Sequence, residues 1–372
     1  MRLVLEKRAE HSRVMTVLSP VIAVALTVVT GGIIFSLMGL DPLEALYVYF
    51  LEPLKYLWTF EPDDLWSIEQ LAVKAAPLAL IGAGLAVCYR ANVWNIGAEG
   101  QLTAGAILGG AIPVFFSTWQ SPLTLMTMLV LGIIGGMIWG AIPATLKNRF
   151  SASEILTSLM LVYVAQLLLD WLVRGPWRDP GGHNFPQTVP FTDWQSMPTF
   201  GDSGLHLGVL IAVVVAIALS VMMGRTLKGF QIQVLGVSPR AGRFAGFSRA
   251  GTVWFCMLLS GGLAGLAGIS EVMTTVGQLQ PSISPGYGFT AIIVAFLGRL
   301  NPLGALVAAL ALAISYLGGE SAQVSLGISD KSAKVFQGIL LFYVLACDTM
   351  ILYRPKLIFS HAISGGVAEQ RT

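Results

Sequence analysis

Long apolar runs alternate with short clusters of charge along this chain. A helix crosses about 30 Å of hydrocarbon with ~20 apolar residues, and runs near that length recur. Val14–Leu40 carries no Asp, Glu, Lys or Arg, and Leu71–Tyr89 is interrupted only by Lys74. Leu102–Leu146 is uncharged and long enough for two crossings, with a natural turn at Trp119–Pro122. Ile155–Leu172, Leu205–Met223, Ala250–Ser270, Leu303–Leu317 and Val335–Leu352 follow. In the uncharged Val272–Gly298, scattered Gly, Pro and Gln leave Phe289–Leu297 as the firm helix. The pattern predicts an all-α polytopic membrane protein of about ten transmembrane helices. The first run exceeds the apolar part of a signal peptide and no small-residue cleavage site follows it, so it reads as a retained anchor.

Composition narrows this further. Charged residues are 11% of the 372, apolar ones 55%, and mean hydropathy is +0.74. A soluble globule needs a charged exterior that this chain cannot supply, and a disordered chain would be far less apolar. A net charge of +2 gives no nucleic-acid footprint. The placement of charge carries more. With the N-terminus inside, only Lys55, Lys74, Arg174, Arg178, Lys331 and Lys334 fall outside, leaving sixteen of the 22 Lys and Arg residues inside. By the positive-inside rule both termini are then cytoplasmic. The expected plan is an N-terminal segment 1–13, one transmembrane domain 14–353 and a tail 354–372. Cys88, Cys256 and Cys347 are dispersed, without metal-ligand spacing, and read as small packing residues.

Two blocks of four crossings, 71–172 and 252–352, start from opposite sides of the membrane. That is the layout of an inverted repeat, although the blocks share no visible sequence identity. Each block holds one irregular stretch leading into a short span: Asn92–Gln101 in the first and Gly277–Gly288 in the second. Broken backbone at membrane depth is tolerated where it lines a cavity or packs in protein, so the pair points to a translocation path; surface loops are the alternative. Glycines four apart, Gly132/Gly136/Gly140 and Gly261/Gly265 among them, share helix faces and read as close helix packing. Outside, Asp41–Gln70 and Arg174–Gly204 are long enough to seat a partner or simply to connect.

The segment Gly224–Gly251 carries basic residues and no acid among Phe230, Ile232, Leu235, Phe244 and Phe247. Ser238-Pro239 opens a short helix that Gly246 ends. A basic, apolar helix of this kind docks on a cytoplasmic protein or lies on anionic lipid. Known catalytic motifs are absent: no phosphate-binding Gly-x-x-x-x-Gly-Lys-[Ser/Thr], no His-Glu-x-x-His, no Gly-x-Ser-x-Gly. Of the acids near membrane depth, Glu154, Asp170, Glu271 and Asp348 lie close to span ends, where a charge reaches water. Glu99 sits in the first broken stretch with Asn92, Asn95 and Gln101. These four are the candidate polar groups of a substrate path; the other role for Glu99 is to satisfy backbone donors at the next helix start.

Three stretches carry a resemblance. Asn95-Ile-Gly-Ala-Glu-Gly-Gln101 is similar to a signature of nucleoside-uptake permeases. Gly236-Val-Ser-Pro-Arg-Ala-Gly-Arg-Phe-Ala-Gly246, with Leu259–Gly268 behind it, resembles a coupling loop, although Ser238 stands where related loops often have Asn. Gly288–Gly304 resembles a late-span signature. Together they resemble the permease subunit of bacterial ABC importers in the branched-chain amino acid/simple-sugar superfamily. The resemblance implies a type II importer permease with inverted repeats, in a bacterial cytoplasmic (inner) membrane. Partners would be a cytoplasmic ABC ATPase, a second permease chain and a periplasmic or lipid-anchored binding protein, in contact with membrane lipid. No cofactor would bind this chain, ATP acting through the partner. Gly236, Ser238, Arg240, Ala241, Arg243 and Gly246 would couple to the ATPase. The solute would be a nucleoside, next a simple sugar. A self-contained ion-coupled secondary transporter is the alternative.

Overall fold

A computed structural model describes residues 2–7, 13–61, 64–201, 203–329 and 331–358. The expected N-terminal segment and tail therefore lie partly outside the described residues. Strand β1 (Arg2–Lys7) pairs antiparallel with β2 (Tyr353–Ile358), Arg2 opposite Ile358 and Lys7 opposite Tyr353, which brings the two ends of the membrane body to the same side.

The body is helical. Helix α1 (Arg13–Leu37) is followed by two short helices, α2 (Pro42–Leu46) and α3 (Tyr56–Thr59). Then come α4 (Leu65–Arg90), α5 (Ala98–Phe115), α6 (Pro122–Phe150) and α7 (Glu154–Arg174). A long connection leads to α8 (Leu207–Arg225), α9 (Leu227–Val237) and α10 (Pro239–Phe244). Helices α11 (Arg249–Glu271), α12 (Tyr287–Leu297), α13 (Pro302–Leu326) and α14 (Lys331–Leu352) complete it. Among the described residues, seven helices are long and apolar enough to cross a membrane: α1, α4, α6, α7, α8, α11 with its π-helical extension to Val276, and α13. The helices α12 and α14 offer shorter apolar stretches.

The structure moves three boundaries. The second span begins at Leu65 rather than Leu71, because Glu69 and Gln70 lie in its opening turns at the solvent end. The expected loop 224–251 is mostly helical: Thr226 accepts from Gly229 N to start α9, and Pro239 at the first position starts α10. Glu99 and Gln101 lie in the first turn of α5, not in broken backbone. The break is confined to 91–97, where Asn95 Oδ1 accepts from Gly97 N and turns the chain into the helix.

Helix α4 is the centre. Every residue from Ala75 to Tyr89 is buried, and α8, α11, α12 and α13 pack around it. A helix apolar on all sides is enclosed by protein or by lipid, and here protein encloses it. Around it, α6, α7 and α8 turn apolar stripes outward, such as Met126, Val130, Ile134 and Ile138 on α6. In lipid no hydrophobic drive separates these faces from the solvent, so helix association relies on close backbone contact. The α6–α11 pair shows this contact. A Cβ on Gly136 would run into the Gly261 carbonyl, and one on Gly265 into the Gly132 carbonyl.

Two ends can be distinguished, named here by the ends of α4. At the Lys74 end, the 176–206 connection lies over the end of α11: Thr188 N donates to Leu279 O (3.0 Å), Phe191 N to Gly277 O (2.8 Å) and Met197 N to Met273 O (3.2 Å). At the Arg90 end, Asn148 Nδ2 donates to Ala250 O (3.2 Å) and Lys147 pairs with Glu154 (2.6 Å).

Gly136→Ala pushes a methyl group into backbone that cannot swing aside, so it is expected to destabilise the folded chain by about 2 kcal/mol or more. Gly224→Ala meets nothing within 4 Å and is expected to be neutral. Thermal unfolding of the two variants in detergent checks this; equal melting temperatures would contradict it.

Candidate functional site

Past Arg90 the chain reverses under a stack of three rings. Tyr89 lies 5.1 Å from Trp94 and 5.5 Å from Phe296, the planes inclined by 30° and 23°. Tyr89 Oη donates to Asn95 O (2.9 Å), which fixes the return. Asn95 then faces Gln101 across the first turn of α5. Asn95 Nδ2 donates to Gln101 Oε1 (2.8 Å) and to Ser260 Oγ on α11 (2.8 Å), and Gln101 Nε2 donates back to Asn95 Oδ1 (3.2 Å). All three side chains are buried. Unpaired amides would be costly in this interior, and here they bond reciprocally and tie α5 to α11.

Glu99 points the other way. Its Oε2 accepts from Gly288 N (2.6 Å), in the first turn of α12. Gly288 itself is pressed against the backbone of Glu99, where any Cβ would overlap the Glu99 nitrogen. So α5, entered from the Arg90 end, and α12, entered from the Lys74 end, meet N-terminus to N-terminus. The positive end of α12 points at this buried carboxylate, with Tyr287 N donating to Ser284 Oγ (3.0 Å) and Gly288 N to Glu99. Three of the four path candidates, Asn95, Glu99 and Gln101, thus come together at this junction. Asn92 does not join them: it is exposed, with φ 55°, and its Oδ1 accepts from Trp94 Nε1 (2.9 Å).

Above the junction, toward the Lys74 end, lies a polar cavity of about 410 Å³. Lys74 of α4 and Glu320 of α13 form one wall, paired at 2.7 Å. Glu271 at the end of α11 and Thr275 in the π-helical turn (Val272–Val276) form another. Ser284 in the second break, Tyr287 and Tyr316 line the floor, and Lys331 and Lys334 stand at the mouth. The two tyrosine rings meet edge-on, 5.3 Å apart at 71°. The Tyr316 hydroxyl pairs with Thr290 Oγ1 (2.8 Å), which donates to Gln337 Oε1 (3.0 Å). Ser284 and Lys334 also face the Glu99 carboxylate. A neighbouring polar cavity shares Thr275 and reaches His206, which precedes α8. Burial pushes the His206 imidazole down to about 4, so it stays neutral and Nδ1 accepts from Gly208 N (3.1 Å).

Sequence reasoning missed this cavity. Lys74 stood out as the one charge in an apolar run, and Glu271 as an acid near a span end. Their meeting with Glu320, Tyr287 and Tyr316 depends on helices far apart in the chain.

At the Arg90 end, α9 and α10 form a surface pair. A Cβ on Gly236 would strike the Arg90 carbonyl, so α9 abuts the last residue of α4 directly. Gly242 is buried against Leu235, which holds α10 on α9. Outward, Phe244 is 94% and Val237 89% exposed, flanked by exposed Arg240, Ala241 and Arg243. Ser238 occupies the position before α10 without a side-chain cap, and Gly246 (φ 80°) follows its end.

Known proteins share this sequence along nearly its whole length. A glucose ABC transporter permease protein, TsgB13, of Haloferax volcanii is 33% identical over 354 residues, covering 92% of this chain and 90% of that one. A nucleoside ABC transporter permease protein, NupB, of Lactococcus lactis is 26% identical over 93% of this chain and 95% of its own length. A guanosine ABC transporter permease protein, NupP, of Bacillus subtilis is 26% identical over 94% and 98%. A family model described as the permease component of branched-chain amino acid transport systems matches residues 67–345, from the opening turn of α4 into α14. The chain belongs to that permease family and is a membrane transport subunit rather than an enzyme.

Proposed function

We propose that this chain is the transmembrane permease subunit of an ATP-driven importer and forms the path for a small neutral solute rich in hydroxyls. The Arg90 end faces the cytoplasm, where the excess of Lys and Arg belongs. The ten helices α1, α4–α8 and α11–α14 are the crossings, and α4–α7 and α11–α14 the two inverted repeats. Support for the repeat comes from α5 and α12, each second in its block, each preceded by a break, and each starting at the same buried carboxylate. Asn92, Asn95, Glu99 and Gln101 are the polar groups along the path, with Glu99 nearest the cavity.

The observation that carries the coupling part is the exposed Phe244 on the basic helix α10, held by α9 against the end of α4. A lone surface loop has no use for such a group, whereas a docking helix inserts it into a partner. The partner is a cytoplasmic ABC ATPase that binds and hydrolyses ATP. Gly236, Ser238, Arg240, Ala241, Arg243 and Gly246 form the contact. Motion of α10 passes through α9 to Arg90 and so to α4, which touches α11, α12 and α13 at once. A second permease chain completes the membrane part, and a soluble or lipid-anchored binding protein delivers solute to the Lys74 end. The heptapeptide from Asn95 to Gln101 favours a nucleoside; the 33% identical glucose permease favours a simple sugar.

Affinity purification from mild detergent is expected to recover a stoichiometric soluble ATPase with this chain, and uptake is expected to survive a protonophore at constant ATP. Loss of uptake under those conditions would favour an ion-coupled carrier instead. Arg243→Glu is expected to lower uptake by about tenfold or more while the chain still inserts, since it places an acid in a basic contact. Glu99→Ala leaves the Gly288 N–H without its acceptor and is expected to cost about 1–3 kcal/mol of stability. Glu99→Gln keeps an acceptor oxygen and should recover most of it, as thermal unfolding would report.

A further inference from the structure

We propose that the cavity over Glu99 is where the transported solute sits, and that Glu271 reads a vicinal diol on it. This rests on the importer reading above. At about 410 Å³ the cavity lies within the range of small-molecule sites. Its walls come from α4, the α11 end, the second break, α12, α13 and α14, so any rearrangement of the two repeats reshapes it.

Glu271 is the informative group. It is 6% exposed and sits where α11 passes into its π-helical turn, facing the cavity. Among the described residues it has no ion-pair partner within 4.0 Å; the charge of Lys74, itself paired with Glu320, acts on it, and the Thr275 hydroxyl lies beside it. A buried carboxylate without a full set of donors is destabilising, so its placement calls for a ligand that supplies them. An ionised carboxylate accepts at about four lone-pair sites, and two adjacent hydroxyls match its two oxygens. The same pairing lets an acidic residue read ribose hydroxyls in dinucleotide sites.

The rest of the cavity selects for a neutral ring. Lys74 and Glu320 offer a donor and an acceptor side by side, and Tyr287 and Tyr316 offer apolar surface. Lysines at the mouth oppose cations, while Glu271 and Glu320 in the walls oppose anions. Ribonucleosides and pyranose sugars both present the required diol.

The test uses the assembled importer in lipid nanodiscs without ATP. Cys88, Cys256 and Cys347 are buried, so Ser282→Cys, at the exposed rim of the cavity, supplies the reporting thiol. Its rate of reaction with a small maleimide is followed with uridine, 2′,3′-dideoxyuridine or D-glucose present. Uridine, D-glucose or both are expected to slow labelling. Dideoxyuridine, which lacks the diol, and a Glu271→Gln background are each expected to weaken protection by about tenfold or more, the equivalent of one charge-assisted hydrogen bond. Protection by uridine alone assigns a ribonucleoside, and by glucose alone a sugar. No protection by either, or equal protection by dideoxyuridine, overturns the proposal. If Glu271→Gln fails to assemble, the dideoxy comparison for uridine, or 1,5-anhydro-2,3,4-trideoxyhexitol for glucose, still decides. ATP-dependent uptake is measured alongside in proteoliposomes made from the same purified importer. Its presence without protection removes the diol site alone, and its absence removes the importer reading whatever the labelling shows.

Discussion

The Glu99 carboxylate, in the first turn of α5, accepts from the start of α12, and both helices begin inside the membrane body. Hydrocarbon offers no water to satisfy free N–H groups, so a helix that starts at depth needs an acceptor supplied by protein. Here α5 and α12 begin back to back, and Glu99 Oε2 takes the Gly288 N–H at 2.6 Å. The acid that would be a liability elsewhere becomes the group that permits the second interruption. The two interruptions are what leave room for polar groups between the helices. Asn95, Gln101 and Ser260 then close their own network beside it, so the first break costs little unpaired polarity.

From that junction the rest of the architecture follows in both directions. Toward the Lys74 end, the second break opens into the polar cavity, while the connection that bonds to Met273, Gly277 and Leu279 lines the cavity next to it. Toward the Arg90 end, the ring stack of Tyr89, Trp94 and Phe296 joins the end of α4 to α12. Helix α4 spans the two, with Lys74 in the cavity and Arg90 under Gly236. Its burial on every side gives it no lipid-facing surface along which to slide. A displacement of α9 therefore has to be taken up by α4's neighbours, which include α11, α12 and α13 of the second block.

Transport by such a body asks for rigidity in some contacts and freedom in others. The glycine rows of α6 and α11 bring backbones to within contact of one another, leaving no side chain to rearrange. The cavity, by contrast, is bounded by side-chain pairs such as Lys74–Glu320, where a half-exposed carboxylate makes an ion pair of modest strength. Breaking and remaking such a pair is compatible with a path that opens and closes.

Sequence alone determined the membrane class and most helix positions, because each depends on neighbours along the chain. Uncharged length predicts a span, and Pro239 and Gly246 bracket α10 without knowledge of anything distant. The breaks near Asn95 and Pro285 were legible for the same reason. What sequence could not decide was which polar groups meet. Glu99 was visible as an acid among amides, but its partner Gly288 lies 189 residues away. Glu271 looked like an acid near water, and only packing turned it into a buried cavity wall. Tertiary structure made those choices, because a carboxylate's chemistry is set by the donors and the volume that folding brings around it.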